Sequence, residues 1–339
     1  MTENNEIQPA EFSMPERLTV SPSPHMKTCD STRSVMLDVI IALLPAFAWG
    51  VIMSGLRALV IALLSIGACI GFEALTERIL HRPITVSDGS AALTGLLLAM
   101  NVSVAVPLWM PIVGAFFAIV VVKQLFGGIG RNIVNPALAA RVFLFSWAGE
   151  MSRFPAAGES VTSVAIGGAD IVAHATPLAS LKAGAVPEQS LLDMFIGNIG
   201  GCIGEVSALL LLTGGIYLLV RRVITWHIPI SYIATVAVLT YVFPRAGSSV
   251  TFMLYELCSG GLMLGAIFMA TDYATSPLTP RGRIIYGIGC GGITVLIRYF
   301  GGYPEGVSFS ILIMNLLVWY LDIIGMPRRF GAVRKKSKE

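Results

Sequence analysis

Long apolar segments recur along nearly the whole of this 339-residue chain and constrain its fold more than any other feature. A helix needs about 20 apolar residues to cross the roughly 30 Å hydrocarbon core of a bilayer. Hydrophobic residues make up 55% of the sequence and charged residues 13%, too few polar side chains to cover a water-soluble surface. We therefore predict an all-α polytopic membrane protein with about ten transmembrane helices. The predicted spans are 35–53, 56–75, 88–106, 108–126, 132–148, 194–220, 227–243, 254–271, 283–300 and 307–325.

The predicted spans form two groups of five, separated by one long polar connection at 149–193. Loops longer than about 12–15 residues tend to be functional or disordered, so this connection is the first place to look for chemistry. The tail before the first span has no apolar core behind a basic head and does not resemble a cleaved signal peptide. The predicted organisation is an N-terminal tail (1–34), a first membrane repeat (35–148), the long loop (149–193), a second membrane repeat (194–325) and a basic C-terminal tail (326–339).

Basic residues are distributed unequally between the two sides of the predicted membrane. One side, which includes both termini, receives seventeen Lys and Arg residues, whereas the other receives five. Because short basic loops are retained in the cytoplasm, both tails should be cytoplasmic and the loop 149–193 should face outward. The even number of spans leads to the same orientation. The net charge of +3 thus reflects orientation and predicts no nucleic-acid partner.

The two halves show a weak internal sequence repeat. At one fixed offset, Ser90 to Leu93 aligns with Ser259 to Leu262, and both Met100 with Met269 and Pro111 with Pro280 also align. After a five-residue insertion, Phe126-Gly127-Gly128 falls on Phe300-Gly301-Gly302. Since each half holds an odd number of spans, the halves should be inverted repeats, an arrangement that often builds a site at the repeat interface near mid-membrane.

Three ionisable residues inside the predicted spans are candidates for a functional role: Asp38, Arg141 and Glu205. Charged groups in a membrane are costly unless they are paired or hydrated, and they often mark an ion path. Arg141 and Glu205 lie near the centres of the neighbouring fifth and sixth spans. An ion pair that only holds the two halves together would explain them equally well, so both interpretations remain open.

Other chemistries have little support in the sequence. The five cysteines have no C-x-x-C spacing, and the histidines lack ligand-spaced partners, so we predict no metal site and no iron–sulfur cluster within this chain. The segment that begins at Gly127 lacks both a preceding strand and the third glycine of a nucleotide-binding loop. No catalytic triad stands out, and we assign no catalytic residue to this chain alone.

Several motifs together resemble the family that contains the D subunit of the Rnf ion-translocating oxidoreductase and its sister, the B subunit of the sodium-translocating NADH:quinone reductase. The resemblance covers about residues 20–325. The motifs that carry it are Ser21-Pro22-Ser23-Pro24-His25, Asp38 with Ile41-Ala42-Leu43-Leu44-Pro45, Asp88-Gly89-Ser90, Thr94-Gly95-Leu96-Leu97, Phe126-Gly127-Gly128-Ile129-Gly130 with Asn132, Asn135, Pro136 and Ala137, Gly204-Glu205, Thr271-Asp272 with Ser276-Pro277, and Gly301-Gly302 with Glu305-Gly306 and Asn315.

The resemblance implies a covalent flavin on the long loop. In this family a flavin transferase esterifies FMN, through its phosphate, to the threonine that ends a D-x-x-S/T-G-A-T pattern. Asp170, Ala175 and Thr176 fall on the Asp, Ala and Thr of that pattern, which implies FMN on Thr176. Ala173 and His174 replace the usual Ser or Thr and the usual Gly, and His174 restricts the backbone more than glycine would. The family also implies a second, noncovalent riboflavin in the membrane domain.

The resulting hypothesis is an electron-transfer subunit of a bacterial inner-membrane complex that moves electrons between ferredoxin and NAD and transports Na⁺ or H⁺. The partners implied are subunits that hold another FMN and iron–sulfur clusters. The quinone-reductase sister subunit is an alternative, although the short N-terminal tail favours the first interpretation. A small-solute permease or channel without flavin, and a structural anchor for redox partners, are the alternatives from other classes. The sequence leaves the choice between Na⁺ and H⁺ open.

Overall fold

The computed structural model describes residues 31–156, 161 and 174–326, and every regular element among them is helical. The prediction of an all-α polytopic membrane protein is confirmed. The α-helices are α1 (Thr32–Ser54), α2 (Leu56–Ile79), α3 (Ser90–Met100), α4 (Trp109–Phe116), α5 (Pro136–Leu144), α6 (Ala148–Met151), α7 (Pro177–Lys182), α8 (Leu191–Ile196), α9 (Ala208–Val220), α10 (His227–Val242), α11 (Ser249–Cys258), α12 (Leu262–Leu264), α13 (Pro280–Phe300) and α14 (Val307–Gly325).

Helix lengths agree with the predicted spans in part. Among the described residues, α1, α2, α13 and α14 are each long and apolar enough to cross a membrane. A fifth candidate span consists of α11 and the helical stretch Leu262–Met269, which meet at an angle of 65°. The helices α3, α9 and α10 and the stretch Trp109–Gln124 are apolar but shorter. Ten spans in two inverted repeats therefore remain a prediction.

Two predicted spans are broken by irregular backbone. The predicted span 88–106 is helical only to Met100, and 194–220 divides into α8 and α9 with residues 197–207 between them. The two irregular segments form backbone hydrogen bonds with each other. The amides of Ile203 and Gly204 donate to the carbonyls of Val102 and Met100 at 3.1 and 2.8 Å. The Arg57 side chain donates to two further carbonyls of the segment 101–108. Non-helical backbone at membrane depth is tolerated only when it is buried in protein in this way.

Glycine permits the close approach of these two segments. A Cβ at Gly204 would lie 2.4 Å from the Met100 Cβ, a separation that side chains do not adopt. The segment 101–108 is nearly as apolar as α3, so hydropathy hides its break, whereas 197–207 is richer in glycine and polar residues than α9. The break at Gly204-Glu205 leaves the Glu205 side chain buried inside the protein.

Short polar residues begin several helices and determine where they start. Asn135, Thr176 and Thr279 each precede a proline at the first helical position, and each side chain accepts a hydrogen bond from a backbone amide in the first turn. Proline suits this position because its missing N–H would have had no partner there. The sequence Thr176-Pro177 therefore begins a helix, α7.

Two helices continue as π-helical stretches, Phe117–Gln124 after α4 and Gly265–Met269 after α12. Such stretches are rare and often occur at functional sites. The second ends at Met269, which the internal repeat pairs with Met100, the last residue of α3. Both methionines lie in the buried core.

Candidate functional site

Thr176 is the N-cap residue of α7. Its Oγ1 accepts a hydrogen bond from the Ala179 amide at 3.3 Å, and its side chain is half-buried. His174 and Ala175 precede it as exposed residues outside any helix, and the His174 amide donates to the Phe154 carbonyl at 3.0 Å. Asp170, the other predicted site residue of this loop, lies outside the described residues.

Thr176 lines two adjoining cavities. The larger, of about 200 Å³, is also bounded by His174, Ala175, Arg141 and Tyr303. The smaller, of about 50 Å³, runs from Thr176 past the glycines of the irregular segment 197–207 to Glu205. Thr176 thus lies between the polar loop and the buried charges of the membrane body.

The structure brings Arg141 and Glu205 together, as one interpretation of the sequence expected. Arg141 Nη2 lies 3.0 Å from Glu205 Oε1, and the two side chains are 3% and 7% exposed. A third residue joins them: Glu305 accepts from Arg141 Nη1 at 3.0 Å and also pairs with Nη2. One guanidinium therefore faces two carboxylates, which gives the cluster a formal charge of −1. Such a cluster is costly to bury unless its charges compensate one another.

Glycine at position 261 makes room for the two carboxylates. A Cβ there would lie 2.5 Å from Glu305 Oε1 and 2.6 Å from Glu205 Oε1. Both oxygens therefore converge on the backbone at Gly261, at the start of α12. Glu305 belongs to one of the family motifs, but no sequence pattern predicted that it contacts Arg141.

Aromatic rings form one wall of the larger cavity. The ring centroids of Phe145 and Tyr303 are 5.1 Å apart, and Phe309 packs against both rings. The Arg141 guanidinium lies 6.0 Å from the Phe145 centroid. Flat apolar surfaces with a few polar groups are typical of sites for planar organic ligands.

A chain of polar contacts leads from Arg141 to a third cavity. Arg141 Nη1 donates to Asn101 Oδ1 at 2.7 Å, and Asn101 Nδ2 lies 3.4 Å from the Met269 sulfur. The Met269 carbonyl in turn accepts from Asn135 Nδ2 at 3.2 Å. Asn135 lines this third cavity, of about 90 Å³, together with Lys123 and other residues. Only a few residues therefore separate the larger cavity at Thr176 from the cavity at Lys123.

Asp38, the third charged candidate, lies in different surroundings. Its carboxylate accepts from Tyr217 Oη at 2.9 Å and pairs with Arg221 at 3.1 Å, an interaction that ties α1 to α9. The hydrogen bond from Arg221 to Asp38, and the charge of that carboxylate, raise the pKa of Arg221, which lies just beyond the end of α9. Asp38 lines neither the cavities at Thr176 nor the one at Lys123.

Sequence reasoning missed two other buried ion pairs. Lys123 Nζ lies 2.5 Å from Glu73 Oε1 and donates to Ser90 Oγ at 2.6 Å. Arg298 pairs with Glu256 at 2.5 Å. Each of these four charged side chains is at least 96% buried. A charged residue within an apolar segment is the sequence signal for such a buried pair. Glu73, inside the predicted span 56–75, is one example.

Comparisons with known proteins agree with the motif resemblance. A sequence model of the NQR2, RnfD, RnfE family matches residues 19–331. The chain is 46% identical over 325 residues to the D subunit of the Na⁺-translocating ferredoxin:NAD⁺ oxidoreductase complex of Acetobacterium woodii, with 95% of this chain and 98% of that protein covered. It is 40% identical over 330 residues to the D subunit of the proton-translocating ferredoxin:NAD⁺ oxidoreductase complex of Clostridium ljungdahlii, with 93% and 97% covered. It is also 38% identical over 327 residues to the D subunit of the ion-translocating oxidoreductase complex of Stutzerimonas stutzeri, with 89% and 92% covered.

Proposed function

Because the chain belongs to the NQR2, RnfD, RnfE family, we propose that it is an electron-transfer subunit of a membrane-bound, ion-translocating ferredoxin:NAD⁺ oxidoreductase complex. In this proposal the chain carries FMN esterified through its phosphate to Thr176 and couples electron transfer to the transport of Na⁺ or H⁺. A flavin transferase attaches the FMN, and partner subunits hold another FMN and the iron–sulfur clusters. A noncovalent riboflavin is a further cofactor of the membrane domain.

The observation that carries this proposal is the position of Thr176 beside a buried charge cluster. Thr176 is half-buried at the border of two cavities, one of which reaches Arg141 and Glu305. Capping α7 explains the threonine at this position, and its place beside buried charges that are costly to desolvate is what supports a further role. In the proposed orientation, this side of the protein faces the periplasm or the cell exterior, and both termini are cytoplasmic.

The residues around Thr176 fit a tethered flavin. The exposed, non-helical backbone at His174 and Ala175 gives a modifying enzyme access to the hydroxyl. The rings of Phe145 and Tyr303 offer an apolar face, and Arg141 contributes a positive charge. FMN, when bound, supplies the one- and two-electron chemistry, whereas the protein orients it and sets the surrounding charge.

The ion route in this proposal follows the polar contacts between the larger cavity at Thr176 and the cavity at Lys123. Arg141 and Glu205 lie at its outer end, and Asn101 and Asn135 join it to the cavity beside Lys123. Asp38 has its own partners on and just after α9, and we assign it a structural role. Groups that change charge at one end of such a network alter the electrostatic potential along the rest of it.

Substitutions at Thr176 test the flavin attachment. Thr176→Asn keeps a side chain that caps a helix well but lacks a hydroxyl, so α7 should form while flavin fluorescence of the denatured chain in a gel is lost. Thr176→Ser retains both properties and should retain fluorescence. Ser180→Ala removes a hydroxyl four residues away and serves as the control. Full fluorescence in Thr176→Asn would place the flavin elsewhere.

The alternative functions predict different results. A small-solute permease predicts solute flux through vesicles and no bound flavin. A quinone-reductase sister subunit predicts the same flavin on Thr176 but electron delivery to quinone in the assembled complex. A structural anchor predicts normal turnover of the complex with Thr176→Asn.

A further inference from the structure

An apolar groove lies on the surface of the second half, between the C-terminal parts of α10 and α13. Its volume is about 590 Å³. Leu239, Val242, Val295 and Leu296 line it, and Val242 and Leu296 are 55% and 59% exposed. The helix α13 is long and apolar enough to span a membrane, and the exposed apolar lining of the groove suits contact with bilayer hydrocarbon. An acyl chain or an apolar helix could fill it.

A cation, Arg245, stands at one end of the groove. Its Nη1 donates to the Tyr299 carbonyl at 2.9 Å, and its guanidinium lies 4.2 Å from the Tyr299 ring and 5.3 Å from the Phe300 ring. Tyr299 is itself fixed, because its hydroxyl donates to the Phe243 carbonyl at 2.7 Å. Arg245 pairs with no carboxylate among residues 31–156, 161 and 174–326. The guanidinium is thus held in place, and some of its N–H groups can still donate hydrogen bonds to a ligand.

We propose that this groove binds one anionic phospholipid, with an acyl chain between α10 and α13 and its phosphate on Arg245. The guanidinium presents several N–H donors in a plane, a geometry that matches phosphate oxygens. Charge complementarity favours a lipid over an apolar helix, since a covering helix would bury the charge of Arg245 without a counter-charge. The site is independent of Thr176 and of the proposed function.

Gly292 forms part of the groove wall and offers a second way to test the site. A Cβ built at this position meets no neighbouring atom within 4 Å. A leucine at 292 therefore fits at its Cβ and projects into the space that the acyl chain would take. Gly71 on α2 has equally open surroundings and is exposed, so Gly71→Leu is a matched control on another helix face.

The experiment uses membrane vesicles that contain the assembled complex and a photoreactive phospholipid. Phosphatidylglycerol and phosphatidylcholine probes carry the same photoreactive acyl chain, and mass spectrometry measures labelling of the peptides from 239–245 and 292–300. The anionic probe should label these peptides about fivefold more, the factor expected from one cation near a charged membrane surface. Equal labelling by the two probes would overturn the proposal.

The variants separate the headgroup from the chain. Arg245→Gln should remove the preference for phosphatidylglycerol, and Gly292→Leu should abolish labelling by both probes. Gly71→Leu should label as the unmodified protein does. A retained preference in Arg245→Gln, full labelling in Gly292→Leu, or a cross-link from the groove to another protein chain would each contradict a lipid site.

Discussion

At the scale of single residues, the cluster beside Thr176 is the most consequential feature of the molecule. Arg141 holds Glu205 and Glu305 in a site where all three side chains are almost fully enclosed. The cost of removing these charges from water is recovered only while each keeps its partner. Each residue of the cluster therefore depends on the other two, and the loss of its cation is the most damaging change.

Arg141→Ala should destabilise the chain by about 3–5 kcal/mol, because it leaves two buried carboxylates without a counter-charge. The measurement is the temperature at which half of the purified protein leaves the monodisperse peak in detergent. Arg153→Ala is the control, since Arg153 and Glu150 form an exposed pair worth about 1 kcal/mol at most. Equal decreases of this temperature in the two variants would show that the cluster contributes no more to stability than the exposed pair.

Gly261→Ala should also destabilise the cluster. The added Cβ would collide with carboxylate oxygens of Glu205 and Glu305, and such overpacking typically costs about 1–3 kcal/mol. Gly67→Ala on α2 meets nothing within 4 Å and should leave stability unchanged or raise it slightly. The same heating assay compares the two variants, and an unaffected Gly261→Ala protein would mean that the carboxylates are positioned differently.

At the scale of elements, buried ion pairs join helices, and the hydropathy of those helices does not reveal the contacts. Glu73 on α2 and Lys123 on the π-helical stretch after α4 are joined, and Lys123 also reaches Ser90 at the start of α3. In the second half, Arg298 of α13 joins Glu256 of α11 and the Ser259 carbonyl. The internal repeat aligns Ser90 with Ser259, so a cation contacts the matching serine in each half.

Glu73→Ala should separate these elements, because it leaves the Lys123 ammonium buried without its carboxylate. The expected loss is about 3–5 kcal/mol, against a smaller loss for Glu73→Ala combined with Lys123→Met, in which neither charge of the pair remains. Heating in detergent measures both variants. A double variant no more stable than Glu73→Ala would contradict the pairing.

At the scale of the whole molecule, the two halves meet along the polar contacts between Thr176 and the cavity at Lys123. The length and number of the apolar segments predicted the helical membrane class, and charge within those segments pointed to Arg141 and Glu205. The sequence could not predict Glu305 as their partner, because that contact joins residues 164 positions apart along the chain. The breaks at residues 101–108 and 197–207 were also missed: Pro107 and the glycines of 197–207 are local break signals, but the hydrogen bonds between the two segments join residues about 100 positions apart.

The membrane orientation can be tested with single cysteines at positions near the predicted membrane surfaces. Glu188 lies in the long connection, and His81 follows α2 on the side assigned to the cytoplasm. In intact cells a membrane-impermeant maleimide should label Glu188→Cys, whereas His81→Cys should react only after permeabilisation. The parent for both variants carries its native cysteines replaced by serine or alanine. The reverse labelling pattern would invert the proposed topology.

The mass of one peptide tests the central claim most directly. Cleavage after Arg153 and Lys182 releases residues 154–182, which contain Asp170, His174 and Thr176. From a host that makes the flavin transferase, this peptide should carry the mass of FMN less one water, with the modification on Thr176. An unmodified peptide recovered from the intact complex would contradict a covalent flavin on this loop.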